Sequence, residues 1–475
     1  MEFAVQIVTA VITMDAMAIA AATGPKDAEP LVQKGERFTP LALFYKKYKR
    51  KETVMYRHRV FKKEIQGRFV ILIPTLNKLL EVNDNDFRNM PDSVISETPL
   101  PVSRWAELGD FQFLGTNFLL TNNCNLTCGY CYEWGGPKKD IEVMSTAVID
   151  AAVDYISETA LKLTAPKFYA NMFGGEPTQA FDALQYAVCY IHEKSQKIGI
   201  PNRVTITTNG VMKEWQSTWL AENMKGIHVS LDGPPAIHNA QRSRSFDRVF
   251  STAKNIFSRY PSKISFRVTV SVLSVARLRE IVEFFGQNFP GVDISLEPVF
   301  SIGRGKMGKF GMPSYREFFD GFLESLPIAA EYGCKLKTSV LNIGARSRQF
   351  CGVAGNNFMI TPAGAVTVCN RMVFSKESAE DKFTYGHFDD KSRTFLFDRN
   401  KCEWLKKLTL ASIAGCDDCF ASSNCRGDCV ANKAVIDSEN FYKLKSYRCQ
   451  EIQEFIGKAM LYIIDHGDTS ISWRE

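Results

Sequence analysis

Residues 115–131, GTNFLLTNNCNLTCGYC, join an apolar run to three closely spaced cysteines. The first half has the nearly continuous apolar character of a buried parallel strand, and the cysteines follow directly after it. From here to about residue 300, similar runs alternate with amphipathic stretches whose apolar residues recur at three- and four-residue spacing. Six β–α units in a row predict an α/β core, either a parallel barrel or an open doubly wound sheet.

Polar and glycine-rich segments follow three of the later predicted strands. They are GGEP at 174–177, TNG at 208–210 and SLDGP at 230–234. In both candidate architectures the carboxyl ends of parallel strands meet at one edge, and ligands bind at that edge. The sequence therefore predicts a binding site formed by these segments and the three cysteines.

The composition limits the class of protein. Of 475 residues, 45% are hydrophobic and 23% charged, which excludes wholesale disorder and collagen-like repeats. The net charge of +6 does not by itself indicate nucleic acid. An odd count of 13 cysteines argues against a secreted disulfide framework and favours metal or cluster ligation in a reducing compartment. We therefore expect a cytoplasmic protein.

The apolar N-terminal residues 3–23 raise the question of a targeting signal. Glu2 stands where a signal peptide carries positive charge, and Asp15 interrupts the apolar run. The uninterrupted part is also too short to span a bilayer. We expect no membrane segment here.

The first cysteine group is Cys124, Cys128 and Cys131. A structural zinc site takes four ligands, and the next cysteine is Cys189, far along the chain. Three thiolates leave one position open, which suits a four-iron cluster that binds a small molecule. The C-x3-C-x2-C spacing, with the aromatic Tyr130 before the third cysteine, resembles that of radical S-adenosylmethionine (SAM) enzymes.

This resemblance implies that the three cysteines hold a [4Fe-4S] cluster to which SAM binds. In the family, one electron from the cluster cleaves SAM to a 5′-deoxyadenosyl radical, which abstracts a substrate hydrogen. Arg267 is a charge within a predicted strand, so we expect either a SAM contact or a structural salt bridge. The predicted SAM-contacting residues are Tyr130, Gly174, Gly175, Glu176, Asn209, Ser230, Asp232 and Arg267.

The second cysteine group lies in the C-terminal third of the chain. The spacings of its seven cysteines resemble those of the SPASM extension of radical SAM proteins, which implies two auxiliary iron–sulfur clusters, expected to be [4Fe-4S]. One or two zinc sites are the alternative, because C-x2-C pairs also bind zinc. The outer cluster would be held by Cys416, Cys419, Cys425 and Cys449, and the inner one by Cys351, Cys369 and Cys429.

The inner cluster lacks an obvious fourth ligand. Either Cys334 or Cys402 completes it, or it has an open iron that accepts a substrate thiolate. Sulfatase-maturing enzymes of this family have an Asp after the cysteine equivalent to Cys369, proposed as a base. Asn370 stands there in this chain, and because an amide cannot accept the proton, the substitution argues against sulfatase maturation. Cys189 is predicted to be a core thiol.

The N-terminal region has a different character. Between Lys46 and Arg68 there are ten Lys or Arg residues, which form either a solvated face or a groove for an acidic partner. RFVILI and KLLEV predict a hairpin, and DNDFRNM predicts a short helix. No nucleic-acid-binding signature accompanies the basic residues. The hairpin and helix resemble the small peptide-engaging elements of peptide maturases.

The predicted fold is a partial (β/α)6 TIM-type barrel with a C-terminal cysteine-rich iron–sulfur (SPASM) domain and a small α+β N-terminal domain. The predicted divisions are an N-terminal region at 1–110, a radical SAM barrel at 111–310, a linker helix region at 311–344, a SPASM domain at 345–452 and a C-terminal helix or tail at 453–475.

The resemblance implies an enzyme that modifies a ribosomally synthesised peptide by a thioether or carbon–carbon cross-link. Its expected partners are the precursor peptide and an electron donor such as flavodoxin or ferredoxin, with no nucleic acid and no membrane. One alternative is a radical SAM dehydrogenase that oxidises a small alcohol or sugar. An alternative of another class is a zinc-rich binding or scaffold protein. The sequence assigns no catalytic acid or base.

Overall fold

The computed structural model describes residues 56–73, 78–96, 111–306, 308–341, 349–355, 357–373 and 380–466. The apolar residues 3–23 and the first part of the basic stretch, 46–55, lie outside the described residues. The chain divides into two compact units, Met1–Pro101 and Val102–Glu475.

The first unit contains small antiparallel sheets and one short helix. Its elements are β1 (Tyr56–Arg59), β2 (Phe61–Ile65), β3 (Arg68–Ile73), β4 (Lys78–Val82), α1 (Asp84–Asn89) and β5 (Ser93–Ser96). Strands β2, β3 and β4 form one sheet, and β1 pairs with β5. The predicted hairpin and short helix are confirmed. Ile71, Ile73 and Met90 form an apolar core beneath them.

The second unit is built on parallel strands that alternate with helices. The strands are β6 (Gly115–Leu119), β7 (Phe168–Phe173), β8 (Asn202–Thr208), β9 (Gly226–Ser230), β10 (Ile264–Val270) and β11 (Asp293–Pro298). Between them lie α2 (Thr146–Lys162), α3 (Phe181–Ile198), α4 (Glu214–Asn223), α5 (Pro235–Gln241), α6 (Phe246–Arg259) and α7 (Leu278–Asn288). Each strand pairs in parallel with the next along the chain, which confirms the predicted (β/α)6 core.

The helices pack by the periodicity that the sequence shows. In α6 the buried residues Phe246, Val249, Ala253 and Ile256 recur every three or four positions. That spacing places them on one face of the helix, which then packs on the sheet. The exposed side chains of the same helix, including Arg248, lie between them.

The cysteine-rich region extends the same sheet at its other edge. After α8 (Tyr315–Glu331) and β12 (Lys335–Lys337), the strands β13 (Met359–Ile360), β14 (Ala365–Thr367), β15 (Thr384–Asp389) and β16 (Thr394–Phe397) follow. β13 pairs in parallel with β6, and β14 to β16 continue the sheet as an antiparallel meander. The 11-stranded sheet therefore carries both cysteine groups.

Four helices complete the C-terminal part: α9 (Arg399–Leu405), α10 (Ser422–Cys425), α11 (Val430–Ile436) and α12 (Cys449–His466). None of the helices in the described ranges is both long and apolar enough to cross a membrane. One expectation about the helices was wrong. Cys189 is exposed on α3 rather than buried in the core, because it lies on the outward face of the helix with the exposed residues Tyr186 and Glu193.

Candidate active site

A cavity of about 430 Å³ opens where the parallel strands end. Its wall includes residues at or just after the carboxyl ends of β7, β8, β9, β10 and β11. Cysteines of both groups line it: Cys124, Cys128 and Cys131 from the first, and Cys351, Cys369 and Cys429 from the second. A group bound in this cavity thus lies between the two sets of thiols.

The first cysteine group is a buried loop of free thiols. Cys124 and Cys128 are 7% and 8% exposed, and none of the three forms a disulfide. Burial is the largest effect on Cys124 and raises its pKa to about 12. A thiol with such a pKa ionises only when a cation binds to it, so the donor set fits a cationic iron–sulfur centre. In the described part of the chain, no three His, Cys, Asp or Glu side chains group closely enough for a single metal ion.

The GGEP segment is hydrogen-bonded to the backbone that leads into this loop. The Gly175 N–H donates to the Thr121 carbonyl (2.8 Å) and the Glu176 N–H to the Asn123 carbonyl (2.9 Å). A Cβ on Gly174 would lie 2.7 Å from the Thr121 carbonyl oxygen, and one on Gly175 would overlap the Asn123 carbonyl. The two glycines are required because the two backbones approach so closely.

The Glu176 carboxylate is fully engaged by the protein. Its Oε1 accepts hydrogen bonds from the Thr178 N–H, the Thr178 hydroxyl and the Thr208 hydroxyl, and its Oε2 accepts one from the Asn209 N–H (2.6 Å). Burial raises the pKa of Glu176 and these bonds lower it. The side chain therefore joins the ends of β7 and β8, and the backbone of Gly174 and Gly175 remains beside the cavity.

Asn209 supports the first cysteine loop. Its Nδ2 donates to Asn125 Oδ1 (2.7 Å) and lies 3.7 Å from the Cys124 sulfur. Asn125 in turn donates to the Val211 carbonyl. Asn209 lines the cavity, but its amide is used to fix the loop and to touch one cluster thiol.

Asp232 lies behind the cavity wall rather than on it. Its carboxylate accepts hydrogen bonds from the Tyr130 hydroxyl (2.7 Å), the Gln241 amide (2.9 Å) and the Thr269 N–H (3.1 Å). Arg242 also donates to the Tyr130 hydroxyl (2.6 Å). Tyr130 lines the cavity, so Asp232 acts on a bound ligand through the position of that ring.

Ser230 and Arg267 lie side by side on the cavity wall. They are directly opposite each other in the pairing of β9 with β10, and Ser295 of β11 is the next residue in the same row. Among the described residues, Arg267 forms no ion pair. The described residues therefore do not support the structural salt bridge as the role of Arg267. Its guanidinium is available to an anionic ligand.

The seven later cysteines fall into two groups. Cys351, Cys369 and Cys429 line the cavity, and the pKa of Cys369 is raised, chiefly by burial and then by Cys429. Cys416, Cys419, Cys425 and Cys449 do not line the cavity and affect one another electrostatically. These are the same two sets of cysteines that the resemblance assigns to the inner and outer clusters. Cluster ligation by each set stays a prediction.

Neither candidate for a fourth inner ligand lies at the cavity. Cys334 precedes β12, so it is at the amino end of the parallel strands, with its sulfur 3.8 Å from the Phe289 carbonyl. Cys402 is buried in α9. All 13 cysteines lie within the described residues, and three of the later ones, Cys351, Cys369 and Cys429, line the cavity.

Three residues of the cavity wall were not predicted from the sequence. The Tyr132 hydroxyl accepts a hydrogen bond from the Asn370 amide (3.1 Å), which links the first cysteine loop to the second. Glu297 accepts hydrogen bonds from the N–H and the hydroxyl of Ser339, both 2.8 Å. Glu133 is 7% exposed, its Oε1 has no partner, and burial raises its pKa to about 8. Glu297 had a usable signal, a charge inside an apolar strand.

The comparisons agree with this geometry. The model of the radical SAM superfamily matches residues 118–285, which include the first cysteine loop and strands β7 to β10. Residues 118–285 are a radical SAM domain. The domain thus contains Cys124, Cys128, Cys131 and the GGEP segment.

Relatives extend the similarity beyond this domain. The cysteine-type anaerobic sulfatase-maturating enzyme of Clostridium perfringens is 24% identical over 372 residues, or 73% of this chain and 95% of that enzyme. The enzyme of the same name from Clostridium novyi is 23% identical over 336 residues, or 66% of this chain and 86% of that enzyme. The similarity therefore reaches from the radical SAM domain into the flanking parts of the chain.

Solved structures show the same fold. Native anSMEcpe with bound AdoMet and the Cp18Cys peptide matches with a TM-score of 0.60 at 20% identity, covering 74% of this chain and 98% of that one. Streptococcus suis SuiB bound to the precursor peptide SuiA matches with a TM-score of 0.51 at 15% identity, covering 71% and 76%. The radical SAM α/β fold with a cysteine-rich C-terminal region is therefore confirmed.

The close approach of Gly175 to the Asn123 carbonyl predicts a localised effect of Gly175→Ala. Because the added Cβ forces the GGEP segment away from the cysteine loop, we expect the free energy of unfolding to fall by about 1–3 kcal/mol and SAM affinity to drop. Thermal denaturation and equilibrium SAM binding measure the two effects. Gly308→Ala is the matched control, since its Cβ meets no atom within 4 Å. Equal behaviour of the two variants would contradict the prediction.

Proposed function

We propose that this protein reductively cleaves SAM and uses the resulting radical to cross-link a ribosomally synthesised peptide. The observation that carries the proposal is the single cavity lined by both Cys124, Cys128 and Cys131 and the inner cysteines. A substrate group in that cavity is within reach of the SAM site on one side and of a second thiol-rich site on the other.

The first site holds the cofactor pair. When bound, the cluster and SAM together supply a 5′-deoxyadenosyl radical. Cys124, Cys128 and Cys131 hold the cluster, and the backbone of Gly174 and Gly175 offers close approach to the SAM amino group. Ser230 and Arg267, adjacent on the wall, bind the SAM carboxylate. Tyr130, braced by Asp232, forms the side of the SAM pocket.

The second site supports a cross-linking reaction over sulfatase maturation. Asn370 stands at the position where the sulfatase-maturing enzymes that this chain resembles have an Asp. Its amide donates a hydrogen bond to the Tyr132 hydroxyl. An amide in that role positions a neighbour and accepts no proton. Because the inner site has three cysteines, a four-iron cluster held there keeps one coordination position for a substrate thiolate. This favours a thioether over a carbon–carbon cross-link.

A peptide substrate is supported by what the similar proteins bind. Two of the similar structures contain a bound peptide: Cp18Cys in anSMEcpe and the precursor peptide SuiA in SuiB. We extend that substrate class to this chain, with the outer cysteines holding a second auxiliary cluster and a flavodoxin or ferredoxin as electron donor.

The domain organisation is part of the proposal. We assign the radical SAM barrel to 111–310, a linker helix region to 311–344, the SPASM domain to 345–452 and a C-terminal helix or tail to 453–475. The region 1–110 would engage the leader part of the peptide. Its basic residues Lys46 to Arg50, outside the described residues, would attract an acidic leader.

The iron content tests the cluster assignment. Because three four-iron clusters are proposed, we expect about twelve irons per anaerobically reconstituted chain, and about eight after Cys124→Ala/Cys128→Ala/Cys131→Ala. Iron and labile sulfide assays measure this. About four irons in the wild-type chain and none in the variant would contradict both auxiliary clusters. Bound zinc in their place would support the scaffold alternative for the C-terminal region.

The response to substrate tests the reaction class. A cysteine-containing precursor peptide is expected to raise the rate of 5′-deoxyadenosine formation, because the peptide supplies the hydrogen that the radical abstracts. Chromatography of 5′-deoxyadenosine and mass spectrometry of the peptide measure the rate and the product. The control is the same peptide with each Cys replaced by Ser. Stimulation by small alcohols or sugars with indifference to the peptide would favour the dehydrogenase instead.

The leader interaction has its own test. Reversing the charges at Lys46, Lys47, Lys49 and Arg50 to Glu is expected to weaken binding of an acidic leader peptide at least tenfold, since the attraction becomes a repulsion. Fluorescence anisotropy at low and high salt measures the affinity. Unchanged affinity would exclude this stretch as the binding surface.

A further inference from the structure

Arg371 holds a distinctive position in the cavity wall. It follows Cys369 by two residues and lines the same cavity as the inner cysteines. Its Nη1 donates to the Cys429 sulfur at 3.6 Å, and its Cζ lies 4.5 Å from the centre of the Phe300 ring. One guanidinium therefore contacts an inner cysteine and the face of an aromatic ring.

The charge of Arg371 has no carboxylate partner in the described residues. An arginine stays protonated at any physiological pH, so this charge is permanent. Glu297 is a carboxylate on the same cavity wall and its charge acts on Arg371, but the two side chains form no ion pair, and the Glu297 oxygens accept hydrogen bonds from Ser339. A partly buried cation without an ion-pair partner is unfavourable, and the groups that Arg371 does touch are a thiol sulfur and a π face.

A second arginine on the same ring provides the contrast. The Cζ of Arg448 lies 5.0 Å from the centre of the Phe300 ring. Arg448 is 1% exposed, and Asp428 neutralises it through two hydrogen bonds of 2.8 and 2.6 Å. At Arg448 the fold supplies a carboxylate. At Arg371 it supplies Cys429.

We infer that Arg371 is a positioning residue for the inner site: it compensates the negative charge of the Cys351, Cys369 and Cys429 thiolates and raises the reduction potential of the iron–sulfur cluster they hold. The inference rests on the proposed function, which places a cluster there. Reduction adds one electron and hence one negative charge to such a cluster. A fixed cation that hydrogen-bonds a ligand sulfur stabilises the reduced form more than the oxidised form.

The contact with Phe300 helps to orient the Arg371 guanidinium toward Cys429. An arginine side chain has several rotatable bonds, and the contact with the ring restricts the guanidinium to orientations that include the one reaching Cys429. Phe300 is also contacted by the paired Arg448. Loss of the ring would leave the charge in the cavity and loosen its contact with the sulfur.

The experiment is a redox titration, followed by electron paramagnetic resonance, of the full reconstituted chain with Arg371→Gln, Arg371→Lys and Phe300→Leu. The signal lost in Cys429→Ala identifies the inner cluster. We expect its midpoint potential to become more negative in Arg371→Gln, to shift less in Arg371→Lys, which keeps the charge, and to shift by an intermediate amount in Phe300→Leu. The SAM-site and outer clusters serve as internal controls and keep their potentials.

Two contrary results are distinguishable. An inner-cluster potential that is the same in the wild type and in Arg371→Gln overturns the role of Arg371 and leaves the proposed function standing. If the wild-type chain holds no cluster that depends on Cys429, the cluster assignment of the proposed function fails, and the inference with it. Should Arg371→Gln not fold, Phe300→Leu still decides, because an unshifted inner potential in that variant contradicts the inference.

Discussion

The pairing of β13 with β6 is the constraint on which the site depends. Met359 pairs with Asn117 and Ile360 with Phe118, and the Phe358 carbonyl accepts hydrogen bonds from the Asn117 N–H and the Thr116 hydroxyl. This short parallel ladder attaches the cysteine-rich region to the free edge of the barrel sheet. Because β6 also leads into the first cysteine loop, the ladder brings the two thiol-rich sites to one cavity.

Polar side chains near that ladder fix the positions of the loops that follow the parallel strands. Glu176 joins the ends of two strands, Asn209 fixes the first cysteine loop, and Asp232 orients Tyr130. Each is buried, and each has its hydrogen-bonding groups met by protein, so the loops are set before any ligand arrives. A site organised in this way spends little binding energy on ordering its own loops.

The alternation of strands and helices and the grouping of the cysteines were predictable, because apolar periodicity and ligand spacing are local properties of a sequence. Which atoms a polar side chain contacts is a tertiary property. Asp232 therefore looked like a ligand contact but lies behind Tyr130, and Cys334 looked like a ligand but lies at the amino end of β12. Cys189 was misjudged for a simpler reason: apolar neighbours on a helix do not say which face a thiol takes.

The charge balance of the cavity wall follows from these contacts. Glu176 and Glu297 are carboxylates whose oxygens are bound by protein donors. Burial raises the pKa of Glu133 to about 8, so at neutral pH that side chain is mostly uncharged. Arg267 and Arg371, in contrast, have no carboxylate partner among the described residues. Arg267 and Arg371 therefore place two positive charges without ion-pair partners on the wall, and anionic contents, a carboxylate beside Arg267 and thiolates beside Arg371, are what these charges stabilise.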